Sequence, residues 1–250
     1  MLERLRESGL LNEQQLEQAT RRLGEGETTQ ERLKALISDG LLTDYQAKRL
    51  WANRGRGLVL GQYHILDELG RGGFGQVFKA RHTVMDRIVA LKVIAPELVD
   101  NERARTWFQR EVLTVTQLYH PNIVMAYDAQ RKDDTLFFVM EYVQGSNLDA
   151  AVQKQGPLPI GVACEMMRQA AEALQYAHEK GMVHRDIKPA NLLLPQQSSA
   201  PSGSNLAPSR GAARPSVAQA RPVLIKIVDF GLALLQDGGR GSALTQNTEN

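Results

Sequence analysis

Apolar residues along this chain change their spacing more than once, and each change marks a different kind of structure. Over residues 1 to about 57 they recur at helical intervals, interrupted by glycines and polar capping residues. The run LRESGLLNEQQ at 5–15 aligns with LISDGLLTDYQ at 36–46, an offset of 31 residues. In each copy a helix is predicted to end at a glycine, Gly9 or Gly40, because glycine accepts the left-handed backbone of a helix C-terminus. Two leucines follow, then Asn12 or Thr43, whose side-chain oxygen caps the next helix. The leucine pairs are expected to pack the helices together at each corner. The result is a helical repeat module over 1–57, with an exposed face that could bind a protein partner. The glycine-rich NRGRGLVLG at 53–61 reads as a linker.

From Tyr63 the spacing shifts to alternation, and YHILDELG, QVFKARH and RIVALKVIA read as strands. A helix is predicted over 101–118, then strands near 123–129 and 135–142, then longer helices, notably 160–181 ending at Gly181. Ala163, Met166, Met167, Ala170, Ala171, Leu174 and Ala177 form a stripe at helical spacing there, so the methionine pair and Cys164 are expected in the core. The pattern breaks off over 195–222. That stretch carries five of the chain's ten prolines and six serines, with three arginines as its only charges. It has too little apolar surface to offset the entropy of ordering, so a disordered insertion is expected.

Composition narrows the classes. At 250 residues the chain has room for one large domain or two small ones, and a net charge of +2 implies neither nucleic acid nor an anionic membrane as partner. A single cysteine excludes an internal disulfide or a multi-cysteine zinc site and fits a reducing cytoplasm. The N-terminus mixes charged and apolar residues, unlike a signal peptide, and no run approaches the roughly 20 apolar residues of a membrane helix. A cytoplasmic protein without a membrane segment is expected.

Candidate chemistry lies in four places. LGRGGFGQVFKA holds Gly70, Gly72 and Gly75 in G-x-G-x-x-G spacing, followed by a strand where a dinucleotide-binding loop would open a helix. A glycine hairpin between strands lets backbone N–H groups approach phosphate without a Cβ in the way. Lys92 stands amid Val89, Ala90, Leu91, Val93 and Ile94, an unusual place for an ammonium unless an anion meets it, and Glu111 on the predicted helix could pair with it. In HRDIKPAN, Asp186 could accept the proton of a substrate hydroxyl, Lys188 could neutralise a transferred phosphoryl group, and Asn191 offers an amide oxygen to magnesium. VDFG adds Asp229 as a second magnesium ligand.

Together these residues resemble the catalytic domain of Ser/Thr protein kinases, and the bare HPNIV and leading helical repeat resemble the eukaryotic-type (Hanks-type) kinases of bacteria. The resemblance covers 61–250 and implies an α+β, bilobal fold: an N-lobe antiparallel sheet with its αC helix, and a helical C-lobe. It places a kinase domain over 58–250 and makes Asp186, Lys188, Lys92 and Glu111 the catalytic set. ATP would be held by the loop Leu69, Gly70, Arg71, Gly72, Gly73, Phe74 and Gly75. Val77 and Ala90 would cover adenine, with Leu193 beneath it. Met140 would be the gatekeeper, the backbone of Glu141 and Val143 would bond adenine, and Asn147 would lie near ribose. Mg2+ would sit on Asn191 and Asp229, and the implied partner is a protein substrate with serine or threonine. The chain stops 21 residues past Asp229, before the family's A-P-E motif, so the resemblance also implies a C-terminally truncated C-lobe. Two other functions compete: a nucleotide-binding pseudoenzyme or scaffold, and a signalling interaction module centred on 1–57.

Overall fold

The computed structural model describes residues 2–22, 28–73, 75–96, 116–133, 135–196 and 224–230. Phe74, Glu111, almost all of the helix expected over 101–118 and nearly all of the expected insertion lie outside them. The described chain forms two compact units. The first contains the residues up to Thr116 and Met125–Tyr142, the second Gln117–Val124 and the residues from Val143.

The first unit begins with four short helices: α1 (Leu2–Ser8), α2 (Glu13–Arg22), α3 (Thr29–Ser38) and α4 (Asp44–Trp51). Gly9 and Gly40 both adopt positive φ, +67° and +70°, where the two helix ends were expected. Reciprocal capping boxes start α2, α3 and α4. Asn12 exchanges bonds with Gln15, Thr28 with Glu31 and Thr43 with Gln46, so two orphan N–H groups are satisfied at each start.

A six-stranded antiparallel sheet follows, in the order β1-β2-β3-β4-β6-β5. Its strands are β1 (Val59–Leu60), β2 (Tyr63–Gly72), β3 (Gly75–His82), β4 (Arg87–Ile94), β5 (Ala126–Lys132) and β6 (Thr135–Glu141). The stretch read as a linker differs from expectation, because Leu58 is buried and Val59–Leu60 pairs with Tyr63 and His64. Its run of three consecutive apolar residues was short enough to pass for a tether, yet two positive-φ glycines, Gly57 and Gly61, bound them as a strand.

Strand register sorts the sheet into two faces, since residues directly opposite on neighbouring strands share a face. Ala80 pairs Val89, and Leu91 pairs Val139. These side chains, with Phe137, Tyr63 and Ile65, form one hydrophobic cluster with Leu5, Leu36 and Leu50 of the helices. Tyr63 meets Phe137 edge-on at 6.0 Å between ring centroids. The helices thus lie on one face of the sheet and share its core.

The second unit holds β7 (Gly145–Asn147), α5 (Leu148–Gln155), α6 (Ile160–Glu179), a 3-10 turn (Pro189–Asn191), β8 (Leu192–Pro195) and β9 (Lys226–Ile227). The strands form a small antiparallel sheet, β7-β8-β9. On α6 the buried face is Met166, Gln169, Ala170, Ala173 and Ala177. Met167, Ala171 and Cys164 are exposed, correcting their assignment to the core. The stripe is rotated because Gln169 is buried: its Oε1 accepts bonds from Asn122 Nδ2 at 2.9 Å and from the Ile225 N–H at 3.1 Å. A glutamine does not enter a stripe drawn from apolar residues alone. Among the described residues no helix is long and apolar enough to cross a membrane.

Candidate active site

In the first unit, β2 and β3 meet at the glycine hairpin, with Gly72 facing Gly75. A Cβ at Gly70, Gly72 or Gly73 would meet nothing within 4 Å, so backbone over this turn is open to a ligand. Gly75 is required for another reason. Its φ is +132°, and a Cβ there would stand 1.9 Å from the Val93 carbonyl oxygen. Leu69 is exposed and sits where β2 slips register against β3. Arg71 Nε lies 3.3 Å from the Glu68 carboxylate.

The sheet's second face carries the rest of the predicted set. Val77 pairs Lys92, and Ala90 pairs Met140. Lys92 and Ala90 are two apart on β4, so all four side chains share one face, opposite the helices. Lys92 is only 4% exposed, which places a cation inside that face. Its expected partner Glu111 is outside the described residues, as is Phe74 of the loop. Glu141 and Met125 bond reciprocally: the Glu141 N–H donates to the Met125 carbonyl (2.9 Å), and Glu141 Oε2 accepts from the Met125 N–H (3.3 Å). Of the backbone groups assigned to adenine at Glu141, the N–H is therefore already engaged.

In the second unit, Asp186, Lys188 and Asn191 are brought together. Lys188 Nζ lies 2.7 Å from Asp186 Oδ2, and Asn191 Nδ2 donates to the Asp186 carbonyl (2.8 Å) and to Oδ2 (3.1 Å). The Lys188 bond, followed by that of Asn191, holds the Asp186 carboxyl below its ordinary value, so it is ionised at neutral pH. With Nδ2 directed at Asp186, the Asn191 amide presents its oxygen elsewhere, and that is the atom type magnesium takes.

His184 was not among the predicted site residues, yet it organises the site. It is 1% exposed; Nε2 lies 2.7 Å from the Val228 carbonyl, and Nδ1 accepts the Asp186 N–H at 3.3 Å. These partners assign a neutral ring with its proton on Nε2, and burial lowers its pKa to match. Val228 also donates its N–H to the Asn191 carbonyl at 3.0 Å. Both backbone groups of the residue before Asp229 are therefore held by the loop bearing Asp186. Phe230 packs edge-on against His184, 4.6 Å between centroids. Asp229 and Arg185 adopt φ +66°, a conformation costly for residues with a Cβ and common at functional sites.

Asn147 and Leu193 pair across β7 and β8 and so share a face. Asn147 Oδ1 accepts the Ala150 N–H at 2.8 Å as the N-cap of α5, so the side-chain oxygen of the residue expected near ribose serves the helix. Val143 lies just before β7 and is half-buried. A further pair escaped the sequence reading. Asn122 Nδ2 donates to the Ile225 carbonyl (2.8 Å) as well as to Gln169, which anchors the strand leading to Asp229.

A family model described as "Protein kinase domain" matches residues 63–248. Serine/threonine-protein kinase Pkn3 of Myxococcus xanthus is 34% identical over 187 residues, covering 74% of this chain and 30% of the relative. Serine/threonine-protein kinase PrkC of Bacillus subtilis is 41% identical over 137 residues, 54% of this chain and 21% of the relative. Among solved structures, the PknI kinase domain of Mycobacterium tuberculosis aligns with a TM-score of 0.55 and 29% identity, covering 70% of this chain and 62% of that one. This chain therefore spans under a third of the length of these curated relatives.

Proposed function

The chain belongs to the protein kinase family, which uses ATP and Mg2+, and from that premise we propose that it carries the ATP site of a serine/threonine protein kinase acting in the cytoplasm. The reaction forms a bond between a substrate hydroxyl oxygen and the γ-phosphorus of ATP and breaks the bond to the β-phosphate oxygen, releasing ADP. Asp186 orients the protein substrate's serine or threonine hydroxyl and accepts its proton. Lys188 moves from Asp186 towards the phosphoryl oxygens as their charge develops. Lys92, paired with Glu111, holds the α- and β-phosphates, and the loop Leu69–Gly75 covers them with backbone N–H groups. Val77, Ala90, Met140 and Leu193 enclose the base, the carbonyl of Glu141 and the backbone of Val143 bond it, and the Asn147 amide nitrogen remains for ribose. Asn191 and Asp229 would hold magnesium, which supplies charge neutralisation when bound.

The observation that supports this most is the setting of Asp186: ionised, touched by Lys188 and Asn191, and tied through His184 to the residue preceding Asp229. The test is transfer of label from γ-labelled ATP to protein, by this chain or by a longer protein containing it. Asp186→Asn should reduce transfer at least about a hundredfold, the loss expected for a positioned base, while Mg-ATP still binds. Binding without any transfer sensitive to Asp186 would replace this reading with a nucleotide-binding scaffold.

A further inference from the structure

The start of α4 does more than cap a helix. Thr43 Oγ1 accepts the Gln46 N–H (3.2 Å) and donates to the Leu66 carbonyl (2.6 Å). Gln46 Oε1 accepts the Thr43 N–H (2.8 Å), while its Nε2 donates to the Ile65 carbonyl (2.7 Å). Each side chain spends its acceptor on the helix and its donor on β2. The Asn12–Gln15 box of the other repeat copy uses the same reciprocal capping bonds at an exposed helix start.

The carbonyls held in this way are consecutive, and in a regular strand consecutive carbonyls point to opposite edges. They face one helix because β2 carries a bulge: Ile65 pairs Ala80 and Asp67 pairs Lys79, leaving Leu66 without a facing residue. β1 covers the outer edge of β2 at Tyr63 and His64, and just before β1 the Leu58 carbonyl accepts the Ile65 N–H (2.8 Å). Among the described residues, the two bonds from α4 are thus the last attachment on that edge before Gly70, four residues past Leu66. The Tyr45 ring, between them on α4, lies 6.3 Å from Phe78 of β3, so the opposite strand of the hairpin meets the same helix turn.

We propose that Thr43 and Gln46 are positioning residues for the glycine-rich hairpin, fixing its height over the nucleotide phosphates through the bulge at Leu66. The N-terminal helices then form part of the nucleotide site's framework, and whatever draws α4 away from β2 loosens the grip on ATP. The proposal rests on the kinase reading above, since it is that reading which puts phosphates under the hairpin.

Thr43 permits a separation of roles. Thr43→Ser keeps both the cap acceptor and the donor, whereas Thr43→Asp keeps the cap acceptor and removes the donor to Leu66. Calorimetry with Mg-ATP and with adenosine, on the full chain, reads the phosphate-dependent part of binding. Hydrogen exchange of the amides at 68–72 reads the hairpin without any nucleotide. Thr43→Asp is expected to weaken Mg-ATP about three- to tenfold, the range of one lost hydrogen bond, with adenosine affinity unchanged and faster exchange at 68–72. Thr43→Ser should match the unaltered chain in all three. Unchanged exchange at 68–72 in Thr43→Asp overturns the proposal whatever the nucleotide data show, as does an equal loss for adenosine and Mg-ATP. Failure of the unaltered chain to bind Mg-ATP, with exchange responding as expected, would instead remove the kinase reading while the clamp itself stood.

Discussion

Gly72 and Gly75 face each other across one hairpin, yet a methyl group would affect them differently. At Gly72 it enters open space, so Gly72→Ala should leave the melting temperature nearly unchanged and weaken Mg-ATP by standing where phosphate would approach. At Gly75 it meets the Val93 carbonyl at positive φ, so Gly75→Ala should cost at least about 2 kcal/mol of stability, measured by denaturant unfolding, in addition to nucleotide affinity. Equal melting temperatures for the two variants would contradict the geometry. Histidine provides a pH signature at the same scale. Burial holds His184, His64 and His120 below their ordinary value of 6.5. The unfolded chain then binds more protons than the folded one just below that pH, so stability is complete above about 6.5 and falls as pH drops further. His184→Gln should lower stability at pH 7.5 and make its decline towards pH 5.5 shallower, because one of the three contributions has gone. A decline as steep as that of the unaltered chain would mean that His184 does not titrate on unfolding.

At the scale of elements, β8 and β9 pair directly, Leu192 with Ile227 and Leu193 with Lys226. Whatever joins Pro195 to Lys226 therefore leaves and re-enters the fold at neighbouring strands. Closure entropy grows slowly with loop length, so deleting 197–220 should change stability by no more than about 1.5 kcal/mol in thermal unfolding and leave Mg-ATP binding intact. Loss of binding on deletion would show that the insertion takes part in the site. Elements also show what could be read from the chain alone. The glycine hairpin, Lys92 and HRDIKPAN were legible because their chemistry is concentrated within a few consecutive residues. The amide pair Asn122–Gln169 was not, since its target carbonyl at Ile225 lies 103 residues from Asn122 and a buried glutamine looks polar in any periodic pattern. The outward face of Cys164 and Met167 was misread for the same reason. Likewise, Thr43 announced a cap, while its second bond and that of Gln46 depend on a bulge that no spacing reveals.

On the scale of the whole molecule, the helices of residues 2–51 and the sheet's Val89, Leu91, Phe137 and Val139 belong to one core. A chain beginning at residue 58 would expose that face to water. It should unfold at a markedly lower temperature or aggregate, as large apolar patches do, and a melting curve with a solubility assay decides the matter. A fully stable, soluble 58–250 chain would show that the helices are an appendage. The path of the chain carries a different consequence, one of timing. Gln117–Val124 leaves the first unit for the second, where Val124 donates to the Ile227 carbonyl and Ile227 to that of Asn122. During synthesis the first unit's core can close once β6 has emerged, by residue 141. The segment at 117–124 must then wait for a partner made about a hundred residues later, and pairings so distant in sequence form slowly. A growing chain can thus complete the first unit's sheet well before β9 is made, so the segment at 117–124 finds its place only after the sheet on either side of it in sequence has closed.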